Sequence, residues 1–590
     1  MEKTLPNGFS LLDFCDGFLK GRFTHFGLWP DGKTQLSLDE AQQNMFRHLL
    51  SFFPPAPAAV LLLGCRIGYP ASLLAEKGYD VTAAFPSADM TEDTKKKYGD
   101  MRITFITFES FCTEHSTFPD RHYDVIVILE SLQYLGPPDG VIRKARALLK
   151  GKGLALLAGE VRADGNTQKE IALPESSDLI IALSENGLRI IARQGLGKRA
   201  FPTYEAIIGA VASSAGSYTP KGLNTSEELS PFLADWARRR ELYAAGKIDY
   251  AIFVARNDPF SVRIYSPGDE HSILEMFNKV FGTNRALDHW YWKFRDNPYG
   301  SFRISLTITE EGLLVAHYAG YPVPFYSTID LPEEFISYQI GDTMTSPSVR
   351  NIGLGRTGIL ARTADHFYAK FCKDNVPFIY GFNTGPHKTL GMRYLGYQYI
   401  DPVSLWTGDI SMLGGRRLQS LLTLLSGYSV QEVNTITDEW DTFFDRVCRE
   451  YRFLVRRDAK YLRWRYLECP ERTHRIFAVR KQGRLAGWVV FVQKEKKLIW
   501  GDALFDRRYP EAARFLLQHL SAKVFSDCDT IEGWFSTHPE WWRRQLEELA
   551  FKKNPEPNNL VPGFVVFGDP SLLQTLRDHY YYTMGDSDLF

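Results

Sequence analysis

The sequence predicts an α/β protein: one doubly wound domain with a parallel sheet, then two related domains of mixed sheet and helix. Three observations predict it. Strand-like and helix-like segments alternate around glycine turns from Val60 to Gly159, the pattern of a parallel sheet covered by helices. In the second half, DHWYWKFRDNPYG (288–300) is echoed by AKYLRWRYLECPE (459–471). Trp292 and Trp464, and likewise Pro298 and Pro470, lie 172 residues apart, a period that means two copies of a domain, not a solenoid. Finally, YQIGDTMTSPSV (338–349), RNIGLGRTG (350–358) and ILARTADHFYAKF read as strand, glycine loop and helix.

The chain has 590 residues, too many for one core and enough for about three to four domains. Apolar residues make up 44% and charged ones 24%, ordinary values for a globular protein. A net charge of −1 gives no basic stripe for nucleic acid. No run approaches the ~18 apolar residues of a membrane span. MEKTLPNGFS at the N-terminus has no apolar core of a secretory signal. Seven scattered cysteines without metal spacing fit reduced thiols, no metal site and a cytoplasmic location. The oligomeric state is open.

Taken in order, Val60–Leu63 is a short apolar strand and Gly64 and Gly68 frame the turn after it. Ala71–Lys77 is helical, stopped by Gly78, and Tyr79–Ala84 is the next strand. YDVIVILE (123–130) is a buried-type strand, followed by the helix VIRKARALLK, the turn GKG and the strand LALLAG. The blocks HFGLWPDGKTQLSLDEAQ (25–42), LLLGCRIG, YDVIVILESLQYL, LLKGKGLALLAGE and IDYAIFVAR (248–256), in that order, resemble class I S-adenosylmethionine-dependent methyltransferases. The resemblance covers residues 1–256 and implies a Rossmann-like fold, with Gly64, Cys65, Gly68 and Glu130 as candidate pocket residues for S-adenosylmethionine.

The pocket departs from that pattern. The family's acidic-x-Gly-x-Gly-x-Gly loop has Leu62 here in place of the acid and Arg66 in place of the middle glycine. A glycine lets backbone approach a ligand closely, and a side chain does not. The family's ribose-binding acid at the end of the second strand falls in AAFPSAD, at Phe85, Pro86 and Ser87. Two lost charge-assisted hydrogen bonds would weaken binding by roughly two to four orders of magnitude. The expectation is weak or absent S-adenosylmethionine binding on a kept fold.

The glycine loop of the second domain can be read as GxGxxG, but the next strand, PFIYGFN, ends in Asn383 and not in an acid. Arg350, Gly353 and Gly355 after MTSPSV, with Asn383 and the closing Leu395-Gly396-Tyr397, resemble the GNAT-type N-acetyltransferases over about 260–412. The resemblance implies an acyl-CoA site with its pyrophosphate on backbone N–H groups at a helix start. Its contacts would come from Met344, Val349, Arg350, Gly353, Leu354, Gly355, Arg356, Thr357, Gly358 and Asn383. The second copy offers Asp506, Arg507, Arg508 and Pro510 at this place and no glycines, so one coenzyme A per chain is expected.

The expected organisation is therefore a Rossmann-like methyltransferase-like domain (1–256) and two tandem GNAT domains (257–412 and 413–590), the second without the pyrophosphate loop. Acyl transfer to an amine needs a base for the ammonium proton. Asp342, on the strand before the loop, is the candidate base. Tyr394 is the candidate acid for the leaving thiolate. The expected function is N-acylation, most simply acetylation, of a small-molecule amine acceptor, an amine on a small metabolite or sugar. The donor is acetyl-CoA or another acyl-CoA, and an acyl carrier protein shares the same pantetheine arm. Two alternatives stay open: a bifunctional methyltransferase and N-acetyltransferase, and a non-catalytic binding or scaffold protein. The aromatic stretch WYWKFRDNPYG recurs in the copy without the loop, which marks it as core.

Overall fold

A computed structural model of the chain describes residues 22–30, 36–64, 66–113, 118, 120–163, 173–214, 225–352, 355–413, 427–470 and 473–590. They divide into two units, one of residues up to Arg263 with Thr307–Leu313, the other of Ile264–Leu306 with Leu314–Phe590. No helix among the described residues is long and apolar enough to cross a membrane.

The first unit is built on strands β1 (Ala59–Leu63), β2 (Asp80–Phe85), β3 (Ile103–Thr107), β4 (Tyr123–Leu129), β5 (Leu149–Arg162), β6 (Leu188–Gly195) and β7 (Ile248–Asn257), in the order β3-β2-β1-β4-β5-β7-β6. β1 runs parallel to β2 and β4, and β7 is antiparallel to β5 and β6. β1, AVLLL, has no polar residue because both of its faces are covered. The chain leaves β1 toward β2 on one side and returns at β4 on the other. That reversal opens a crevice at the carboxyl ends of β1 and β4, where ligands of such sheets bind. Gly64 ends β1 at φ 103°, and a Cβ there would come within 2.1 Å of the Leu129 carbonyl oxygen. Only glycine allows the two strands to run this close.

The second unit holds two mixed sheets. In one, the order is Gln398–Tyr399, Val561–Val566, Phe378–Asn383, Glu334–Thr345, Leu314–Ser327, Phe453–Val455 and Tyr580–Tyr581. In the other it is Tyr428–Val433, Arg475–Lys481, Arg484–Lys494, Lys497–Phe505, Thr530–Trp534, Ser404–Asp409 and Lys552–Pro555. The halves exchange strands. Ser404–Asp409, from the first repeat, pairs with Thr530–Trp534 (Trp406 opposite Gly533), and Val561–Val566, from the second, pairs with Phe378–Asn383 (Tyr380 opposite Phe564). The segments expected as separate domains, 257–412 and 413–590, thus fold largely as one unit. Strand-like periodicity predicts that a strand forms but not which sheet receives it.

The repeat has a local two-fold character. The indole N–H of Trp292 donates to the Trp464 carbonyl oxygen at 2.8 Å, and that of Trp464 donates to the Trp292 carbonyl oxygen at 3.0 Å, with the rings stacked 5.3 Å apart. Trp290, Trp292 and Phe294 are all buried. Two equivalent residues exchanging the same bond is the signature of an isologous contact.

Candidate functional site

In the first unit the crevice at the ends of β1 and β4 is lined by Phe26, Arg66, Glu130, Tyr134, Glu160, Tyr204, Trp236 and Arg239, among others, around about 40 Å3 of space. Glu130 directly follows β4 and takes φ 49°, a strained conformation for a residue with a side chain. Its Oε1 accepts the Phe26 N–H at 2.7 Å and the Tyr250 hydroxyl at 3.0 Å. Burial pushes its carboxyl up to about 7, against the opposing pull of the Phe26 N–H, the Arg66 charge and the Tyr250 hydroxyl. Glu160, near the end of β5, accepts from the Tyr204 hydroxyl and from Arg239 Nη1 at 2.9 Å. Rings of Phe26, Tyr204 and Trp236 pack together 5.2–6.0 Å apart beside these carboxylates. Aromatic faces with carboxylates behind them suit a cation.

Of the candidate pocket residues, the structure brings Gly64 and Glu130 to the ends of adjacent strands and places Gly68, at φ 78°, before the helix Tyr69–Glu76. Cys65 lies outside the described residues. Arg66, at φ 42°, is buried against the end of β4, with Nη2 3.4 Å from the Glu130 carbonyl oxygen and its guanidinium over Tyr134. Phe85 is fully buried at the end of β2 and stacks on Phe105, while the Ser87 hydroxyl accepts the Met90 N–H to cap the next helix. The crevice therefore offers rings and carboxylates to the sulfonium of S-adenosylmethionine, with the Arg66 and Arg239 charges beside them, and Phe85 stands where a carboxylate would meet its ribose. Glu160, Tyr204, Arg239 and Tyr250 do not stand out from the sequence alone. The legible signal was Glu160 closing LALLAG as Glu130 closes YDVIVIL.

In the second unit, strands Glu334–Thr345 and Phe378–Asn383 pair in parallel only at Tyr338–Ile379 and Gln339–Tyr380, and part beyond. The glycine loop sits past the end of the first of them. Gly355 has φ 67°, and a Cβ there would lie 3.1 Å from the ring of Tyr394. Tyr394, the candidate acid, is 37% exposed and has its ring beside Gly355. Gly358 caps the helix Ile359–Phe367, Arg356 and Arg350 are exposed, and Arg350 Nε donates to the Thr345 carbonyl oxygen at 3.3 Å. Thr357 is half-buried beside them. Met344 and Val349 are buried, and Asn383 Nδ2 donates to the Tyr399 hydroxyl at 3.3 Å. Gly353 and Leu354 lie outside the described residues. In the second repeat Asp506 holds the equivalent place, accepting from Arg446 at 3.0 Å and from the Arg508 N–H at 3.0 Å.

Asp342 does not have the surroundings of a base. It is buried, sits on a β-bulge at φ 54°, and is gripped by Arg285 at 2.5 Å and Lys293 at 2.9 Å. Burial would raise its carboxyl, but the charges of Lys293 and Arg285 more than reverse this and hold it well below the usual carboxylate range. A carboxylate so stabilised is a poor proton acceptor at neutral pH. The same pair recurs in the other half: Arg457, 172 residues after Arg285, binds Asp502 at 2.9 Å, and both aspartates follow a glycine, Gly341 and Gly501. A feature kept in both repeats is architecture. The sequence carries only half of this signal: the two arginines keep the offset of the tryptophans, and the two aspartates do not.

A family model described as a methyltransferase domain matches residues 38–170. Methyltransferase GfsG of Streptomyces halstedii is 30% identical over 151 residues, which are 24% of this chain and 54% of that protein. The chain thus spans about half the length of this curated relative. Among solved structures, cyclopropane synthase MmaA2 from Mycobacterium tuberculosis is similar at 16% identity, covering 41% of this chain and 93% of that one, with a TM-score of 0.36. Geranyl diphosphate C-methyltransferase from Streptomyces coelicolor A3(2), solved with S-adenosyl-L-homocysteine, is similar at 15% identity, covering 42% of this chain and 91% of that one, with a TM-score of 0.33. Residues 38–170 of the chain are thus similar to a methyltransferase domain.

Proposed function

We propose that the chain is a bifunctional transferase whose first unit moves a methyl group from S-adenosylmethionine to a small molecule. The observation that carries this is Glu130, a buried carboxyl held near neutrality at the switch point of the sheet. S-adenosylmethionine, when bound, supplies an electrophilic methyl group on a cationic sulfur. Gly64 lets the end of β1 run close against the end of β4, and the rings of Phe26, Tyr204 and Trp236 exclude water beside the reacting centre. Both described bonds to the Glu130 carboxylate go to Oε1, which leaves Oε2 to take a proton from the acceptor. A base that titrates near the working pH is the effective kind. The test incubates the full chain with methyl-labelled S-adenosylmethionine and a small-molecule extract. A labelled product that Glu130→Gln fails to form supports the reading, and no labelled product overturns it.

The second unit favours an acyl-transfer reading through one observation, the parting strands with the positive-φ Gly355 loop ahead of the helix Ile359–Phe367. Backbone N–H groups at such a helix start suit a pyrophosphate. On this reading acetyl-CoA or another acyl-CoA, or an acyl carrier protein, donates to an amine. Gly355→Glu should abolish acetyl-CoA binding in calorimetry while leaving S-adenosylmethionine binding as it was. Unchanged acetyl-CoA affinity would remove this loop from consideration.

A further inference from the structure

In the second unit the surface beside the glycine loop stands out in two ways. The first is apolar exposure. Nine large apolar side chains are exposed among the described residues, and four of them, Ile352, Leu390, Met392 and Tyr394, fall in this one region. Ile352 lies three residues before Gly355. Leu390 and Tyr394, one turn apart, share a face of the helix Gly385–Tyr394. The Tyr394 ring lies beside the loop at Gly355, so helix and loop present a continuous apolar surface. Met392 extends it to the far flank of the helix. An exposed patch of this kind marks a docking site.

The second is charge. No Asp or Glu occurs between Asp342 and Asp365 or between Asp374 and Asp401, whereas Arg350, Arg356, Arg362, Lys388 and Arg393 do. Arg362 is buried and has interactions of its own. Arg350, Arg356 and Arg393 are exposed, and Lys388 is half-buried with its ammonium over the Tyr399 ring. Among the described residues none of these four is in an ion pair. Of the carboxylates nearest the loop along the chain, Asp342 is gripped by Arg285 and Lys293, and Asp365 has interactions of its own. An apolar centre with a cationic rim is the anatomy of an interface whose partner is acidic.

From the apolar patch and its unpaired cations we infer that this face docks an acidic acyl carrier protein, whose phosphopantetheine arm reaches the glycine loop. The inference rests on the acyl-transfer reading of the second unit and chooses between the donors that reading leaves open. Acyl-CoA and a carrier share the pantetheine arm and the phosphate at its end, and the start of the helix Ile359–Phe367 suits that phosphate in either. The difference lies outside the loop. A free nucleotide end leaves Leu390 and Met392 in water, whereas the body of a carrier covers them and sets its carboxylates against Arg350, Arg356 and Arg393.

Calorimetric titration of the full chain with three probes tests it: acetyl-CoA, an acidic acyl carrier protein with its phosphopantetheine arm acetylated, and a single-stranded oligonucleotide as a plain polyanion. The carrier should bind saturably, and roughly tenfold more weakly at about 0.5 M salt than at about 0.05 M, because exposed charges are screened. Arg393→Glu and Leu390→Glu, at exposed positions outside the loop, should each weaken the carrier at least about tenfold more than they weaken acetyl-CoA. Their thermal midpoints should match the wild type, and the salt series needs no variant. Binding of acetyl-CoA without binding of the carrier at about 0.1 mM would overturn the docking site and leave the acyl-transfer reading standing. Binding of neither would remove that reading and the docking site with it. Full carrier affinity in the folded variants, equal loss of both ligands in them, or an oligonucleotide that binds as tightly as the carrier would each overturn the assignment.

Discussion

Asp342→Ala should destabilise the protein by about 3–5 kcal/mol, the effect of leaving buried cations without their partner. Lys293 is 3% exposed and would keep only Asp588, at 3.3 Å, while Arg285 would lose the carboxylate it grips. The pH dependence has a definite sign. The folded carboxyl is depressed below its ordinary value of 3.8, so its contribution is present above that value and is lost as the pH falls through the folded one. Urea unfolding of wild type and variant at neutral pH measures the loss. A variant as stable as wild type, but slow in acyl transfer with a flattened pH profile, would restore Asp342 as a base. Asp502→Ala should behave alike, since Arg457 is fully buried against it.

Glu130→Gln should lower methyl transfer about 10²- to 10⁴-fold, the usual contribution of a positioned base, while making the protein more stable in alkaline buffer. The folded carboxyl sits at about 7 against an ordinary 4.5. Its raised value favours the folded state below 4.5, and this is lost as the pH rises through 7, a change on the order of 3 kcal/mol. Glutamine keeps an oxygen for the Phe26 N–H and the Tyr250 hydroxyl and cannot ionise. Wild-type stability should therefore fall between pH 5 and pH 8 more steeply than that of the variant, as measured by urea midpoints at the two pH values. Parallel curves would mean that Glu130 is already ionised when folded, and would remove the reason for naming it the base.

The parallel sheet of the first unit was legible because AVLLL and YDVIVIL are apolar on both faces and glycines mark the turns between. The tandem repeat was legible because Trp292 and Trp464 sit in the same local context. The strand exchange was not, since Ser404–Asp409 and Val561–Val566 carry no local mark of the sheet they join. At the site, Gly64 and Glu130 were readable from their place after strands. Phe26, Tyr204 and Arg239 come from distant segments, and tertiary packing alone brings them to Glu130 and Glu160. Asp342 drew a catalytic reading from its place on the strand. Its role depended on Arg285 and Lys293, 57 and 49 residues away, whose register with Arg457 and Arg465 is visible only once the offset is applied to more than the tryptophans.

The most direct measurement is a calorimetric titration of the full chain with S-adenosylmethionine, set beside Arg66→Gly. Arg66 lies at φ 42°, where glycine is at ease, and its charge stands beside the place of a cationic sulfur. The account predicts saturable binding of one S-adenosylmethionine per chain, weak because Phe85 gives the ribose no carboxylate, and about tenfold tighter in Arg66→Gly. No heat in either protein at about 1 mM ligand would contradict it and leave the first unit a methyltransferase-like fold that does not bind S-adenosylmethionine.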